Sequence, residues 1–424
     1  MGRKQYKGLA EREARLAILM LIPAFLIVFA IILFPVLLNF WISFKEVQLG
    51  DLRAPAPVAR EQIVQRPRRA GDALILEYQL RNTSRQDPIE NVRVTGTVPP
   101  GLKAAELPEP FRLEDRKLVA RYDRWEPAFS QRVQLVFTAD ASFVDGPWLQ
   151  SADMTFPAAD GRSANRLFNF TFTGKNYRQV LSSTSFWPAL ATSFIYTTGG
   201  AIGAILLGLL AAQLLNTRFH GKSLMRGLLL FPYVAPVIAV AFTWSFLLDP
   251  FSGTFNALLV RFGVVSEGIS FLSERTAAVS LFGFSFRIPL ALSTVIAFDA
   301  WRYFPFSFLF ILARLQAIPD ALYESAEVDG ATPYQKFFRI TVPQLSGVLG
   351  TLFLLRFMWT FNKFDDVFLL TGGAAGTQTL PIQVYDYAFG RADIGAGAAT
   401  AVMLFLFLAV FLIIYFRYTP EEEA

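Results

Sequence analysis

Apolar runs long enough to cross a bilayer recur six times along the chain, at about residues 16–44, 187–215, 227–248, 288–312, 344–370 and 394–416. A helix needs about 20 mostly apolar residues to span the hydrocarbon core, so each run predicts a transmembrane helix. The first follows a basic stretch that carries Arg3, Lys4, Lys7, Arg12 and Arg15. Its apolar part is too long for a signal peptide and no small-residue cleavage site follows, so it reads as a span, kinked at Pro23 and Pro35. The run at 276–286 is also apolar but short, which predicts a re-entrant segment or an extracytoplasmic interfacial helix.

Between the first and second runs the pattern changes period. Leu74, Leu76, Tyr78 and Leu80 alternate with polar residues, as do Val92, Val94 and Val98, and Val133, Leu135 and Phe137. Turn signals such as Pro99-Pro100-Gly101 separate them. Period-two alternation at this spacing predicts a small antiparallel β-sandwich inserted at 46–171. The insertion is either a binding module or a spacer without a partner.

A third pattern lies between the fourth and fifth runs, in the polar stretch 320–343. Pro319 ends the preceding helix and Asp320 is placed to cap a short one, with Leu322, Ala326 and Val328 on its apolar side. Gly330 suits the left-handed position after a helix. Thr332, Pro333 and Gln335 then form the N-cap, N1 and N3 of a second helix, a capping box. Such a short amphipathic helix has no core of its own, so it either docks onto a partner or stands as a solvated loop.

Composition agrees with the apolar pattern. The 424 residues include 43 Phe and 53% hydrophobic residues against 17% charged, and the mean hydropathy is +0.40. Zero Cys and a single His, His220, exclude disulfides and thiolate chemistry and leave no basis for a His-based catalytic or metal site. The net charge of +5 gives no case for nucleic acid and is better explained by topology. Arg3, Lys4, Lys7, Arg12, Arg15, Arg218, Lys222, Arg226, Arg314, Lys336, Arg339 and Arg417 fall on one side, against Arg261, Arg275, Arg287 and Arg391 on the other. By the positive-inside rule both termini and the 320–343 loop are cytoplasmic and the sandwich is extracytoplasmic.

Ionisable residues at membrane depth are costly and face a cavity or one another. Asp299, Arg302, Tyr303 and Phe306 share one face of the fourth run, and Arg356, Trp359, Thr360 and Lys363 repeat that spacing in the fifth. Aromatic faces can stack on pyranose C–H groups while Asp, Arg, Lys and Thr satisfy hydroxyls, so the two stripes suit a sugar pathway. The alternative is structural, with Asp299 paired to Arg302 or Arg356 inside the bundle. Lys363, Asp365 and Asp366 stand nearer the outer end and are weaker pathway candidates.

Several motifs resemble the sugar-importing branch of ABC transporter permeases. They are F-T-G-K-N-Y-R-Q-V-L (172–181), L-L-L-F-P-Y-V-A-P (228–236), F-N-K-F-D-D-V-F-L-L-T-G-G (361–373) and T-L-P-I-Q-V-Y (379–385). The fifth is the loop itself: Tyr323, Glu324-Ser325-Ala326, Asp329-Gly330-Ala331, Phe337, Ile340 and Pro343 resemble the family's EAA motif, with Ser325 where Ala is usual. The resemblance implies a membrane all-α protein of about six transmembrane helices with the type I ABC importer permease fold. Its domains are 1–45 (tail and first helix), 46–171 (an inserted all-β sandwich) and 172–424 (permease core), with the coupling loop at 319–343. The phrases Y-Q-L-R-N-T-S (78–84) and V-R-V-T-G-T-V-P-P-G-L (92–102) are similar to immunoglobulin-like repeats, and the larger permease subunit of the maltose importer also carries an inserted domain.

The family further implies a bacterial inner-membrane location and four kinds of partner: a second permease subunit, a cytoplasmic ABC ATPase dimer, an extracytoplasmic sugar-binding protein and membrane lipid. ATP and Mg would act on the ATPase, since this chain has no phosphate-binding loop and no cofactor of its own. The implied cargo is an α-linked di- or oligosaccharide such as maltose or trehalose. Two competing classes are a multi-span receptor whose sandwich is the binding module, and an intramembrane enzyme using Asp299; neither explains the capped loop.

Overall fold

The structure, a computed structural model, describes residues 16, 18–217, 219–281 and 284–418. The basic residues Arg3, Lys4, Lys7, Arg12, Arg15 and Arg218 lie outside the described residues. The chain forms two compact units. One comprises Phe44–Gly174 with Ala392–Gly395, and the other holds the membrane helices.

In the first unit eight strands form, and the three alternating runs fall on β2, β3 and β7: β1 (Pro57–Gln65), β2 (Ala73–Asn82), β3 (Ile89–Thr97), β4 (Leu102–Glu106), β5 (Arg112–Glu114), β6 (Lys117–Trp125), β7 (Ser130–Ala139) and β8 (Ala158–Arg162). They make two antiparallel four-stranded sheets, ordered β1-β2-β7-β4 and β5-β6-β3-β8. Leu76 pairs with Leu135 and Val94 with Ala120. These side chains join Leu74, Tyr78, Trp125 and Phe137 in one fully buried core. Tyr78 is buried at its hydroxyl end too, where it bonds Thr155 Oγ1. The Glu61 carboxylate accepts from the Met154 and Thr155 amides at 2.7 and 2.9 Å. Gly101 (φ +83°) turns beside Asp140 so closely that a Cβ there would lie 2.5 Å from Asp140 Oδ1. A returning segment closes this unit through a single β-bridge of Gln48 with Asp393, with Gly395 N–H donating to the Val47 carbonyl at 2.9 Å and Leu49 N–H to the Ala392 carbonyl at 2.8 Å. The sequence boundary at 46–171 misses that returning segment, because Ala392–Gly395 is more than two hundred residues away in the chain and has no pattern of its own.

In the second unit five helices among the described residues are long and apolar enough to cross a bilayer: α1 (Ile18–Ser43), α2 (Phe186–Asn216), α5 (Leu290–Gln316), α7 (Pro333–Phe361) and α9 (Ile394–Tyr418). A further pair, α3 (Lys222–Val234) and α4 (Val237–Leu247), is apolar enough together but bent by 93°, the form of a broken span or a re-entrant loop. The expected single helix over 227–248 is therefore corrected. Pro236 has no amide to continue the ladder and pushes Ala235 out of the helical region, where its ψ is 143°. In α1, helix continues through Pro23, and Pro35 is accommodated by a π turn at Phe29–Leu33.

The fifth run overshoots as well. α7 ends at Phe361, and a separate short helix α8 (Asp365–Thr371) follows, because Asn362 and Lys363 leave the helix before the Asp365-Asp366 start of the next. The run at 276–286 is not helical. It is an antiparallel hairpin of Ala277–Leu281 and Phe284–Ile288, as its short length and alternation allow.

α2 and α5 pack closely because α2 presents glycines to α5. A Cβ at Gly203 would lie 2.7 Å from Ala300 Cβ, and one at Gly208 would lie 2.8 Å from the Phe308 amide nitrogen. Small residues of this kind let membrane helices approach backbone to backbone.

Candidate functional site

The predicted stripes on α5 and α7 do face one another, but the structure divides their residues between a buried layer and a cavity wall. Asp299 and Arg356 are 0% and 2% exposed and form an ion pair, Arg356 Nη2 to Asp299 Oδ2, at 2.6 Å. Room for this carboxylate comes from Gly200 on α2, where a Cβ would lie 2.4 Å from Asp299 Oδ2. The Tyr196 hydroxyl approaches the other carboxylate oxygen at 3.4 Å. Thr360 is buried, and its Oγ1 has no hydrogen-bond partner among the described residues. Arg302 is buried as well. It donates to the Tyr303 hydroxyl at 3.0 Å and, through Nη2, to the Ala235 carbonyl at 3.2 Å, which the break between α3 and α4 leaves unpaired. Asp299, Arg302 and Thr360 thus stand behind the cavity wall and not on it, because each sits on the side of its helix that meets a neighbouring helix.

Tyr303, Phe306, Arg356, Trp359 and Lys363 line a cavity of about 480 Å³ together with Tyr233, Asn362, Phe364 and Asp365. Three cations gather about its Tyr303 ring. Lys363 Nζ lies 3.7 Å from the ring centroid, the Arg356 guanidinium 4.2 Å and that of Arg302 5.5 Å. Phe306 meets Trp359 edge-on at 5.2 Å and Tyr233 at 6.2 Å. Lys363 Nζ also stands 3.0 Å from Asp366 Oδ2. The two form an ion pair whose carboxylate is fully buried. Volume, ring faces and dispersed polar groups are those of a site for a small polar molecule with flat apolar faces.

Three wall residues, Tyr233, Asn362 and Phe364, were not among the predicted ones, and a fourth, Asp365, was only a weaker candidate. Tyr233 belongs to the F-P-Y-V-A-P phrase, and its two prolines were the available signal, since a broken helix marks the place where membrane sites form. Asn362 and Phe364 lie between α7 and α8 and Asp365 opens α8, a break that an uninterrupted fifth span conceals.

The loop between α5 and α7 holds the second set. Its first helix, α6 (Asp320–Val328), is capped by Pro319 and not by Asp320, which falls in the first turn and makes no capping bond. A carboxylate there still favours the positive end of the helix dipole. Gly330 takes φ +76°, and the amide of Ala331 donates back to the Ala326 carbonyl at 2.8 Å. The capping box forms as its spacing predicts: Gln335 N donates to Thr332 Oγ1 at 3.3 Å and Thr332 N to Gln335 Oε1 at 2.8 Å.

The packed side of α6 carries Tyr323 and Ala326, whereas Leu322 and Val328 are 43% and 89% exposed. Two contacts tie α6 to the base of α7. Tyr323 and Thr341 share a hydroxyl hydrogen bond of 2.9 Å, and Lys336 bonds Glu327 at 2.6 Å. Ser325 turns its hydroxyl to the Ala321 carbonyl at 2.8 Å, so the hydroxyl is satisfied inside the helix. Glu324, Asp329 and Gly330 are exposed and Ala331 half-buried.

Residues 204–421 match the family model described as binding-protein-dependent transport system inner membrane component. The chain is 36% identical over 242 residues to the inner membrane ABC transporter permease protein YcjO of Escherichia coli, covering 56% of this chain and 76% of that protein. It is 32% identical over 245 residues to the trehalose/maltose transport system permease protein MalF of Thermococcus litoralis, covering 57% and 78%. Among solved structures, one chain of a bacterial ABC transporter involved in the import of the acidic polysaccharide alginate superimposes with a TM-score of 0.50 at 19% identity, covering 60% of this chain and 86% of that one. This last likeness is one of fold. The β-sandwich strands lie outside the residues that the family model matches.

Proposed function

The chain belongs to the family of binding-protein-dependent transport system inner membrane components, and from that premise we propose that it conducts an uncharged sugar, an α-linked di- or oligosaccharide such as maltose or trehalose. It is a permease subunit and not an enzyme; the ATPase is a separate subunit. In this reading the chain holds no cofactor, and ATP and Mg act on that partner.

The observation that carries the choice of cargo is the charge balance at the cavity. Each cation on its wall already faces a carboxylate, Arg356 with Asp299 and Lys363 with Asp366. What remains for a ligand is ring faces and hydrogen bonds, with no net positive field to favour an acid. The similarity to a trehalose/maltose permease supports the same cargo.

The mechanism follows from the way the two sites are joined. α7 runs without a break from Pro333, beside the loop, to Phe361, just past Arg356 and Trp359. At 1.5 Å per residue its 29 residues reach about 43 Å. The Tyr323–Thr341 and Glu327–Lys336 contacts make α6 the foot of that lever. A cytoplasmic ATPase dimer seated on the exposed Leu322, Glu324 and Val328 would move the foot as it closes, and α7 would carry the movement to the cavity wall, giving alternating access. A second permease subunit completes the translocation path.

The distribution of Lys and Arg supports cytoplasmic termini and an extracytoplasmic sandwich. The two antiparallel sheets around one core support an immunoglobulin-like module that meets a sugar-binding protein. The family match falls on the spans and not on the sandwich, so nothing favours a receptor.

Purification of the tagged chain from native membranes is expected to bring a second permease and a nucleotide-binding subunit. ATP hydrolysis by that complex should rise with binding protein loaded with a neutral disaccharide and stay basal with an acidic one. A chain isolated without any ATPase defeats the importer reading, and equal stimulation by acidic sugar defeats the charge argument alone.

A further inference from the structure

A second cavity lies between the end of α4, the short helix Thr254–Arg261 and the first two turns of α5. Its volume is about 570 Å³, and its walls include Trp244, Leu248, Phe255, Leu258, Phe271 and Leu290. From α5 come also Thr294 and Ala297. The Thr294 hydroxyl donates to the Leu290 carbonyl at 2.9 Å, so its proton is spent inside the helix. The walls are braced against collapse. Asn256, 2% exposed, donates to the carbonyls of Asp249 and Ile269 at 3.0 Å each and accepts from the Ile269 amide at 2.9 Å, which locks the connection that carries the short helix. Trp244 packs against Phe298 and Trp301 at 5.3 and 5.4 Å, and Phe255 meets Phe271 edge-on at 5.6 Å.

The walls select an apolar occupant. Water in a protein site needs about two to four polar partners, and these residues do not supply them. A sugar is disfavoured for the same reason, in contrast to the cavity that holds Asn362 and Lys363. Depth then narrows the choice. Leu290 opens the span α5, and Ala297 lies two turns on, about 10 Å along the axis. The cavity is therefore at the level where acyl chains begin, in the leaflet that α5 enters. Phe251 and Phe262, on either side of the short helix, are 98% and 76% exposed, as befits aromatic rings at the bilayer interface. Charge supplies the last element. Arg261 falls on the helix face that carries Thr254 and Leu258. It is exposed and makes no ion pair among the described residues, and a guanidinium fork matches a phosphate.

We propose that this cavity is a lipid site, which holds one acyl chain of an anionic phospholipid while Arg261 pairs with its phosphate. The inference does not depend on what the protein transports.

The test uses the full-length chain with the subunits that purify with it, in phosphatidylcholine vesicles that carry phosphatidylglycerol brominated on its acyl chains. Bromine quenches a tryptophan that it touches, and the contribution of Trp244 is read as the difference between the chain and its Trp244→Phe variant. That contribution should be quenched to saturation at a low mole fraction of brominated phosphatidylglycerol, and brominated phosphatidylcholine should need a several-fold higher fraction. Ala297→Phe fills the cavity from an exposed position of α5 and should remove the saturating phase at an unchanged unfolding temperature. Arg261→Gln should move that phase to a several-fold higher fraction. Absence of quenching at Trp244 would mean that another protein chain covers the cavity. Quenching that rises in proportion to either lipid alike would mean ordinary contact with the bilayer. Either overturns the proposal, as does a saturating phase that survives Ala297→Phe, and an unchanged phase in Arg261→Gln overturns the phosphate contact.

Discussion

Asp299 and Arg356 are in contact at 2.6 Å with almost no solvent on either side chain, so neither can lose its partner cheaply. Removing one member of such a pair leaves a buried charge and costs about 3–5 kcal/mol, whereas replacing both is far milder. Arg356→Met should therefore lower the thermal stability of the solubilised protein sharply, and Asp299→Asn in the same chain should restore part of it. A double variant as unstable as the sum of the two singles would rule out the coupling. Trp359 is 49% exposed and stands on the cavity wall, so Trp359→Ala should leave the unfolding temperature nearly unchanged and reduce sugar-dependent ATP hydrolysis at least several-fold. Thr360 is the contrasting neighbour. Its unpartnered buried hydroxyl means that Thr360→Val should cost nothing in stability, since an apolar group of the same shape replaces an unsatisfied one. The eight-residue stripe pattern was legible from spacing; which of its members face the cavity was not, because the helical period does not tell which neighbour a face meets.

At the scale of the element, the 319–343 loop is the part the sequence describes best. Capping and backbone preference act over four or five residues, so Thr332, Pro333, Gln335 and Gly330 suffice to specify the turn. Gly330→Val places a β-branched residue at φ +76°, which costs of the order of 1–3 kcal/mol locally. Because Gly330 is exposed at the loop, the strain should deform the foot of α7 and not the membrane bundle. Gly330→Val and Glu324→Lys are each expected to insert normally and to lose coupled transport; normal uptake in both would show that the loop does not couple. The break between α3 and α4 and the end of α7 were less legible. Hydropathy registers apolar length, and neither Pro236 nor Asn362 lowers it enough to show a break. The hairpin at 277–288 was misread for the related reason that a short apolar run fits several structures.

At the scale of the whole molecule the two units respond to different variables. Asp72 and Asp140 hold their carboxyls below the usual carboxylate range, Asp72 by accepting from the amides of Arg68 and Arg69 and Asp140 by bonding the Ser142 hydroxyl and the amides of Phe143 and Ser142. A folded pKa below the unfolded value contributes stability that is fully present above the unfolded pKa and is lost as pH falls through the folded one. Hydrogen exchange on the full chain should thus show the turns at Asp72 and Asp140 loosening below about pH 4. Equal protection at pH 3 and pH 7 would remove the claim.

By itself the sequence determined the class of protein, the five candidate spans as helices, the period of three strands of the sandwich, and the capped turn of the cytoplasmic loop. All of these follow from hydropathy, periodicity or capping, which act within a stretch of chain. Only the tertiary structure decided that Asp299 and Arg302 are wall supports, that Tyr233, Asn362, Phe364 and Asp365 join the cavity, and that Ala392–Gly395 returns to the inserted unit. These are contacts between residues far apart in the chain, and their energies depend on which faces meet, a quantity no local pattern contains.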